Sequence, residues 1–126
     1  MKRRSIYIEG FKHKQPIPNA CRVGPLLISG AINGIDPVTG VAPENLSRQC
    51  RHMFAHVRSI VEQAGGQLEH IVKINIYLRD RGQREAVNEE WLAMFPDSAS
   101  RPARHTQDAN LQAPILIQCD FTAFIG

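Results

Sequence analysis

The stretch LSRQCRHMFAHVRSIVEQAGG (residues 46–66), followed closely by IVKINIYL (residues 71–78), decides the fold class. In the first, Leu46, Cys50, Met53, Phe54, Val57, Ile60, Val61 and Ala64 recur at spacings of three and four, which marks one apolar face of a helix. Asn45 stands where an N-cap is needed, and Gly65-Gly66 supplies the stop. In the second, Val72, Ile74, Ile76 and Leu78 alternate with Lys73, Asn75 and Tyr77, which predicts a strand buried on one side.

The same reading extends outward in both directions. Gly82 to Phe95 is predicted to form a second helix, with Val87, Trp91, Met94 and Phe95 on one stripe and Pro96 ending it. Arg104 to Asn110 reads as a short strand. The final strand carries Ile115, Ile117, Cys119, Phe121, Ala123 and Ile125 on one face, and Leu116, Gln118, Asp120, Thr122 and Phe124 on the other. On the N-terminal side, Ile6 and Ile8 mark a weak first strand. Pro16 and Pro18 exclude a helix between Lys12 and Asn19. Leu26-Leu27-Ile28-Ser29 follows a Gly24-Pro25 turn as an apolar strand, Gly30 and Gly34 flank a further edge, and Asp36-Pro37-Val38-Thr39-Gly40 is a turn. The order β-β-β-α-β-α-β-β predicts an α+β fold in which about six strands form the sheet and both helices pack side by side on one face. The other face, with Tyr77, Gln118, Asp120 and Phe124, is mixed enough to suit an oligomer interface.

At 126 residues the chain has room for one domain, residues 1–126, with a modest core. Hydrophobic residues at 43% and charged residues at 21% give a globular balance rather than a disordered one. Apolar runs stop at four or five residues, too short for a membrane-spanning helix, and no apolar h-region follows Lys2-Arg3-Arg4; a cytoplasmic protein is expected. Fifteen Lys and Arg against twelve Asp and Glu leave a net charge of +3, with Lys2, Arg3 and Arg4 read as a solvated tail. No basic stripe interleaved with aromatics is present, so nucleic-acid binding is not expected. Cys21, Cys50 and Cys119 have neither disulfide nor metal spacing and read as reduced structural thiols.

Few segments carry chemistry. His52 and His56 lie four apart on the first helix, but HMFAH lacks the glutamate of a zinc-protease motif and Arg48, Arg51 and Arg58 crowd the region. No metal is expected, and both histidines are read as part of a solvated polar face. GxGxxG, P-loop and GxSxG motifs are absent, which removes the common nucleotide and serine-hydrolase readings. The informative run is Arg101-Pro102-Ala103-Arg104-His105-Thr106. Alternation places Arg104, Thr106 and Asp108 on one face, and an arginine with a hydroxyl two residues on is a suitable fork for a ligand carboxylate.

Five pieces in order resemble the YjgF/RidA family of small imine/enamine deaminases over most of the chain. Leu27 to Ile32 with Asp36 to Gly40 resembles the family's SGQIPxDPxTG. Ile60 to Gly65, then Ile71-Val72-Lys73 and the strand to Leu78, resembles AIVEAAG…DIVKTTVFL. Ala86-Val87-Asn88-Glu89 resembles AVNE, and Pro102-Ala103-Arg104 resembles PAR. The resemblance implies a chorismate-mutase-like fold, a homotrimer, clefts between subunits, and hydrolytic deamination without cofactor or metal. It assigns Arg104 to the substrate carboxylate, Thr106 and Asn88 to the cleft wall, and Ser29 and Gly30 to backbone bordering the ligand. Two positions depart from the family. Ile17 replaces the tyrosine of GPYSQA, and Gln118 stands where the deaminases have a glutamate that handles the attacking water; an amide can position water but cannot take its proton.

These features lead to an expected function, hydrolysis of an imine or enamine carboxylic acid to a keto acid and ammonia. Ile17 suggests a larger or more apolar substrate, such as one of the aminomuconate type. Arg104 and Gln118 are the expected catalytic pair, both on the cleft face of the sheet. The alternative is a non-catalytic small-carboxylate-binding regulator of the same fold, which accounts for Gln118 more simply. RNA cleavage, an older description of some family members, lacks support in the residues.

Overall fold

The computed structural model describes residues 1–126. In chain order it contains β1 (Arg4–Ile6), β2 (Ala20–Val23), β3 (Leu26–Ser29), β4 (Ile32–Asn33), α1 (Leu46–Gln63), β5 (Ile71–Leu78), α2 (Glu85–Met94), β6 (Ala103–Asp108) and β7 (Ile117–Phe124). The seven strands form one mixed sheet ordered β1-β2-β3-β7-β5-β6, with β4 paired to the remaining length of β7. Only β5 and β6 run parallel, because α2 makes the crossover between them. The expected α+β architecture is present. The edge expected between Gly30 and Gly34 is the two-residue β4, and the strand missed from the sequence is β2, whose Cys21 and Arg22 face partly outward and which is too short for alternation to register.

α1 behaves as its pattern predicts. Gln49, Cys50, Met53, Phe54, His56, Val57, Ile60 and Val61 are buried against the sheet. The Asn45 side chain accepts from the Arg48 N–H at 3.0 Å, satisfying one of the free amides of the first turn. At the other end Gly65 adopts φ +91°, a left-handed conformation that a Cβ would oppose, and Gly66 N–H donates back to Val61 C=O at 2.8 Å. Arg4 and Arg22 both donate to the last carbonyl, Ala64 C=O. Arg4 is therefore part of the sheet edge and a C-terminal cap, not part of a solvated tail; its pairing partner lies 18 positions along, at Arg22, beyond the reach of local composition.

α2 starts later than Gly82. Residues Arg81–Gln83 form a single 3-10 turn, fixed by Asp80, whose side chain accepts from the Gly82 N–H. β7 is likewise shorter than its predicted span, by two residues at its start and one at its end, while β6 begins one residue before Arg104 and stops two before Asn110. On β5 the alternation slips at its start. Ile71 pairs with Ala123 and Lys73 with Thr122, so Val72 is an inserted residue; it is half exposed while Ile71 is buried. From Ile74 onward the predicted face holds: Ile74, Ile76 and Leu78 are buried with Ile117, Cys119, Phe121 and Ala123 of β7. Leu26, Ile28 and Phe124 remain largely exposed on the sheet face that the helices leave uncovered.

Candidate functional site

Arg104 is the second residue of β6, the edge strand beside β5. It pairs with Ile74, and directly paired residues share a face, so its side chain rises on the helix side of the sheet. There α2 receives it. The Arg104 Nη2 donates to Asn88 Oδ1 at 2.8 Å. Its guanidinium lies 5.0 Å from the Trp91 ring centroid, within cation–π range, and Trp91 is itself held edge-on by Phe95 at 4.9 Å. No carboxylate of the chain pairs with Arg104. Burial, and secondarily the positive charge of Arg84, both lower its pKa. The guanidinium is held against a flat wall with Nε and Nη1 free of internal acceptors, the arrangement a carboxylate-binding fork needs.

Thr106 follows on the same face, about 7 Å along the strand. Its hydroxyl oxygen is buried and finds no hydrogen-bond partner within the chain. Arg104, Asn88 and Thr106 thus come together as expected.

Ser29, Gly30 and Ile17 form a separate group. Gly30 N–H donates to Asn19 C=O at 2.9 Å, which seats the Pro16–Pro18 loop and half-exposed Ile17 over the end of β3. The Ser29 hydroxyl accepts from Phe121 N–H at 2.9 Å and donates to Gly30 C=O at 2.8 Å, so it is consumed internally. The row Ser29, Phe121, Ile74, Arg104 crosses β3, β7, β5 and β6. Three strand spacings separate its ends, about 14 Å, too far for one small ligand.

Gln118 corrects the expectation most sharply. It pairs with Tyr77 on one side and Asn33 on the other, and Tyr77 pairs with Gln107. That row lies on the helix-free face. Arg104 and Gln118 are therefore on opposite faces of the sheet, not on a common cleft face. Periodicity assigns a residue to one of two faces within its own strand, but only the interstrand register relates the faces of two strands. Around Gln118 the surface is polar: Asn75 donates to Asp120 at 2.8 Å, and the Tyr77 phenol has a pKa raised by burial and by the Asp120 charge.

The histidines also differ from the solvated face expected of them. His56 is buried, stacks on Phe11 with ring centroids 5.3 Å apart, and donates from Nε2 to Ile35 C=O at 2.8 Å. His52 instead approaches Asp36 at 3.8 Å. No three His, Cys, Asp or Glu side chains converge as metal ligands would. The thiols of Cys50 and Cys119 are free and buried; desolvation and the Glu90 and Glu89 charges push Cys50 up to about 12, and Cys119 is also raised, which leaves both unreactive. The largest hollow, about 520 Å³ between Tyr7–Gly10 and Ser59–Gln63, is remote from Arg104. No helix is long and apolar enough to cross a membrane.

The fold falls within a defined protein class. Residues 6–123 match the family model described as Endoribonuclease L-PSP, and the chain belongs to this family, the same YjgF/RidA group that its motifs resemble. Among relatives, a RutC family protein of Aquifex aeolicus is 38% identical over 74% of this chain and 78% of its own length. A protein of Salmonella typhimurium named 2-iminobutanoate/2-iminopropanoate deaminase is 32% identical over 71% of this chain and 70% of its own. The crystal structure of the YjgF gene product of E. coli superposes with a TM-score of 0.87 at 25% identity, covering 96% of this chain and 98% of that one.

Proposed function

We propose that the protein hydrolyses imine or enamine carboxylic acids to keto acids and ammonia, at clefts between copies of a homotrimer. The observation that carries this reading is the Arg104 guanidinium, fixed by Asn88 and Trp91 and left without an internal anion. The naming of relatives as deaminases supports it.

The chemistry asks for orientation more than for reactive groups. An enamine takes a proton on carbon to become an imine. Water attacks the imine carbon, the C=N electron pair moves to nitrogen, and nitrogen takes a proton. The carbinolamine then breaks its C–N bond, releasing ammonia and leaving the keto acid. Holding the carboxylate on Arg104 fixes the electrophilic carbon relative to one water, which is worth several kcal/mol. Thr106, with its hydroxyl unsatisfied, is suited to that water or to the imine nitrogen.

The 14 Å separation of the two residue groups supports assembly. A neighbouring copy bringing its Ile17, Ser29 and Gly30 beside Arg104 would close the cleft, and could bring Gln118 as well. Exposed Leu26, Ile28 and Phe124 give the helix-free face apolar area to bury in such an assembly.

A second reading, a carboxylate-binding regulator, is favoured by Gln118, which cannot accept a proton from water. Ammonia release from imino acids generated in situ by an amino-acid oxidase separates the two. Deaminase function predicts acceleration by the wild type and loss on Arg104→Ala of about 2–5 kcal/mol in carboxylate binding. If Gln118 acts on the attacking water, Gln118→Glu raises turnover of simple imino acids. Binding of keto acids with no acceleration by either wild type or Gln118→Glu would establish the regulator instead. Light scattering at the mass of a monomer would remove the shared cleft, and an RNA substrate in parallel tests the cleavage implied by the family's name.

A further inference from the structure

A second guanidinium stands beside the first. Arg84, Asn88 and Trp91 are spaced i, i+4 and i+7 along α2 and its first flanking residue, and the Asn88 N–H donates to Arg84 C=O at 3.0 Å. They form one stripe, and Asn88 and Trp91 are the two residues that grip Arg104. Arg84 is exposed and has no ion pair. Of the nearby acids, Asp108 pairs with Arg81 at 3.5 Å and Glu90 turns toward Arg51 on α1 at 3.8 Å, while Glu85, the next residue along, makes no ion pair with Arg84. The charge of Arg84 is felt at Arg104 as a repulsion. Two neighbouring cations, neither of them in an ion pair, raise each other's energy at the start of a ten-residue helix whose first turn holds only Glu85, and a ligand that brings further negative charge relieves this.

We propose that Arg84 binds a second carboxylate, so that the substrate is a dicarboxylic imine acid held by Arg104 at the end next to the reacting carbon and by Arg84 at the far end. The spacing fits. Four residues, about 6 Å of helix rise, separate Arg84 from Asn88, the residue that holds Arg104, and the terminal carbons of an extended four- or five-carbon dicarboxylate lie a comparable distance of about 4–5 Å apart. This assignment rests on the carboxylate-binding role of Arg104 proposed above, and makes charge, rather than the bulk suggested by Ile17, the feature that selects the substrate.

Titration calorimetry with 2-oxoglutarate and 2-oxobutanoate tests it on stable keto acids, with ammonia release from the imines of glutamate and 2-aminobutyrate as the second measurement. The wild type is expected to bind 2-oxoglutarate on the order of tenfold more tightly, a preference that added salt weakens. In Arg84→Gln the ratio of the two affinities falls to near one, and Arg84→Lys restores part of it. Equal affinities in the wild type, or an Arg84→Gln ratio equal to that of the wild type, overturns the assignment. No binding of either keto acid overturns it together with the Arg104 reading. If the binding preference holds while neither imine is hydrolysed, deamination fails and the dicarboxylate site stands; if both imines are hydrolysed without preference, the reverse is true.

Discussion

Gln49 offers the most direct test of how α1 is joined to the sheet. It is fully buried on α1, where its amide group makes three long-range or loop contacts. Nε2 donates to Pro43 C=O at 2.7 Å and to Pro114 C=O at 2.9 Å, and Oε1 accepts from Leu116 N–H at 2.9 Å. One side chain thus ties the start of the helix to the segment entering β7. Gln49→Leu keeps similar bulk and helix propensity but removes all three bonds. A buried group left without a partner costs about 1–3 kcal/mol, and the two part-buried carbonyls recover some hydration. The expected net loss is about 3–4 kcal/mol, or about 10–15 °C in Tm for a chain of this size. Thermal unfolding by circular dichroism at fixed protein concentration measures it. Gln49→Glu sharpens the test, because a carboxylate aimed at two carbonyls is disfavoured and its folded-state pKa is raised. The folded form then binds more protons between the unfolded value, about 4.3, and the raised one, so stability falls as pH rises through that range. The stability deficit of Gln49→Glu relative to wild type should therefore be smaller at pH 5 than at pH 7. A Gln49→Leu Tm within about 3 °C of wild type, or a Gln49→Glu deficit relative to wild type that grows on acidification, would refute this account.

Three further outcomes are expected. Gly34→Ala would place its Cβ 2.1 Å from the backbone oxygen of Gln49, and since neither backbone can yield easily, a loss of about 1–3 kcal/mol or more is expected in denaturant melts. His13 and His56 both have pKa values lowered chiefly by burial. The unfolded chain therefore binds their protons first, and stability falls as pH drops below about 6.5, by at most about 1.4 kcal/mol per pH unit for the buried His56 and by less for His13, which solvent screens; a flat Tm between pH 7 and pH 5 would contradict it. Asn88→Ala removes the acceptor that aims Arg104 while improving helix propensity, so keto-acid affinity should fall about tenfold in calorimetry while Tm holds or rises.

The elements with a long, one-sided apolar pattern could be read from the chain alone. α1 declared itself through eight residues of helical spacing and two end signals, and β7 through strict alternation. In each, one face is buried over the whole length, so composition records geometry directly. The family motifs likewise drew attention to Arg104, Asn88 and Thr106, and these three lie on or beside a single crossover unit, β5-α2-β6.

What sequence could not supply was the relation between elements. The bulge at Val72, the burial of His56 beneath Phe11, the capping of α1 by Arg4, and the opposite faces of Arg104 and Gln118 all depend on partners distant in the chain. So does the separation of Ser29 from Arg104, which is set by two intervening strands, β7 and β5, drawn from different parts of the sequence. A side chain's own strand or helix determines its direction within that element. Which groups then meet is decided by register and packing across tens of residues, and those are properties of the tertiary structure.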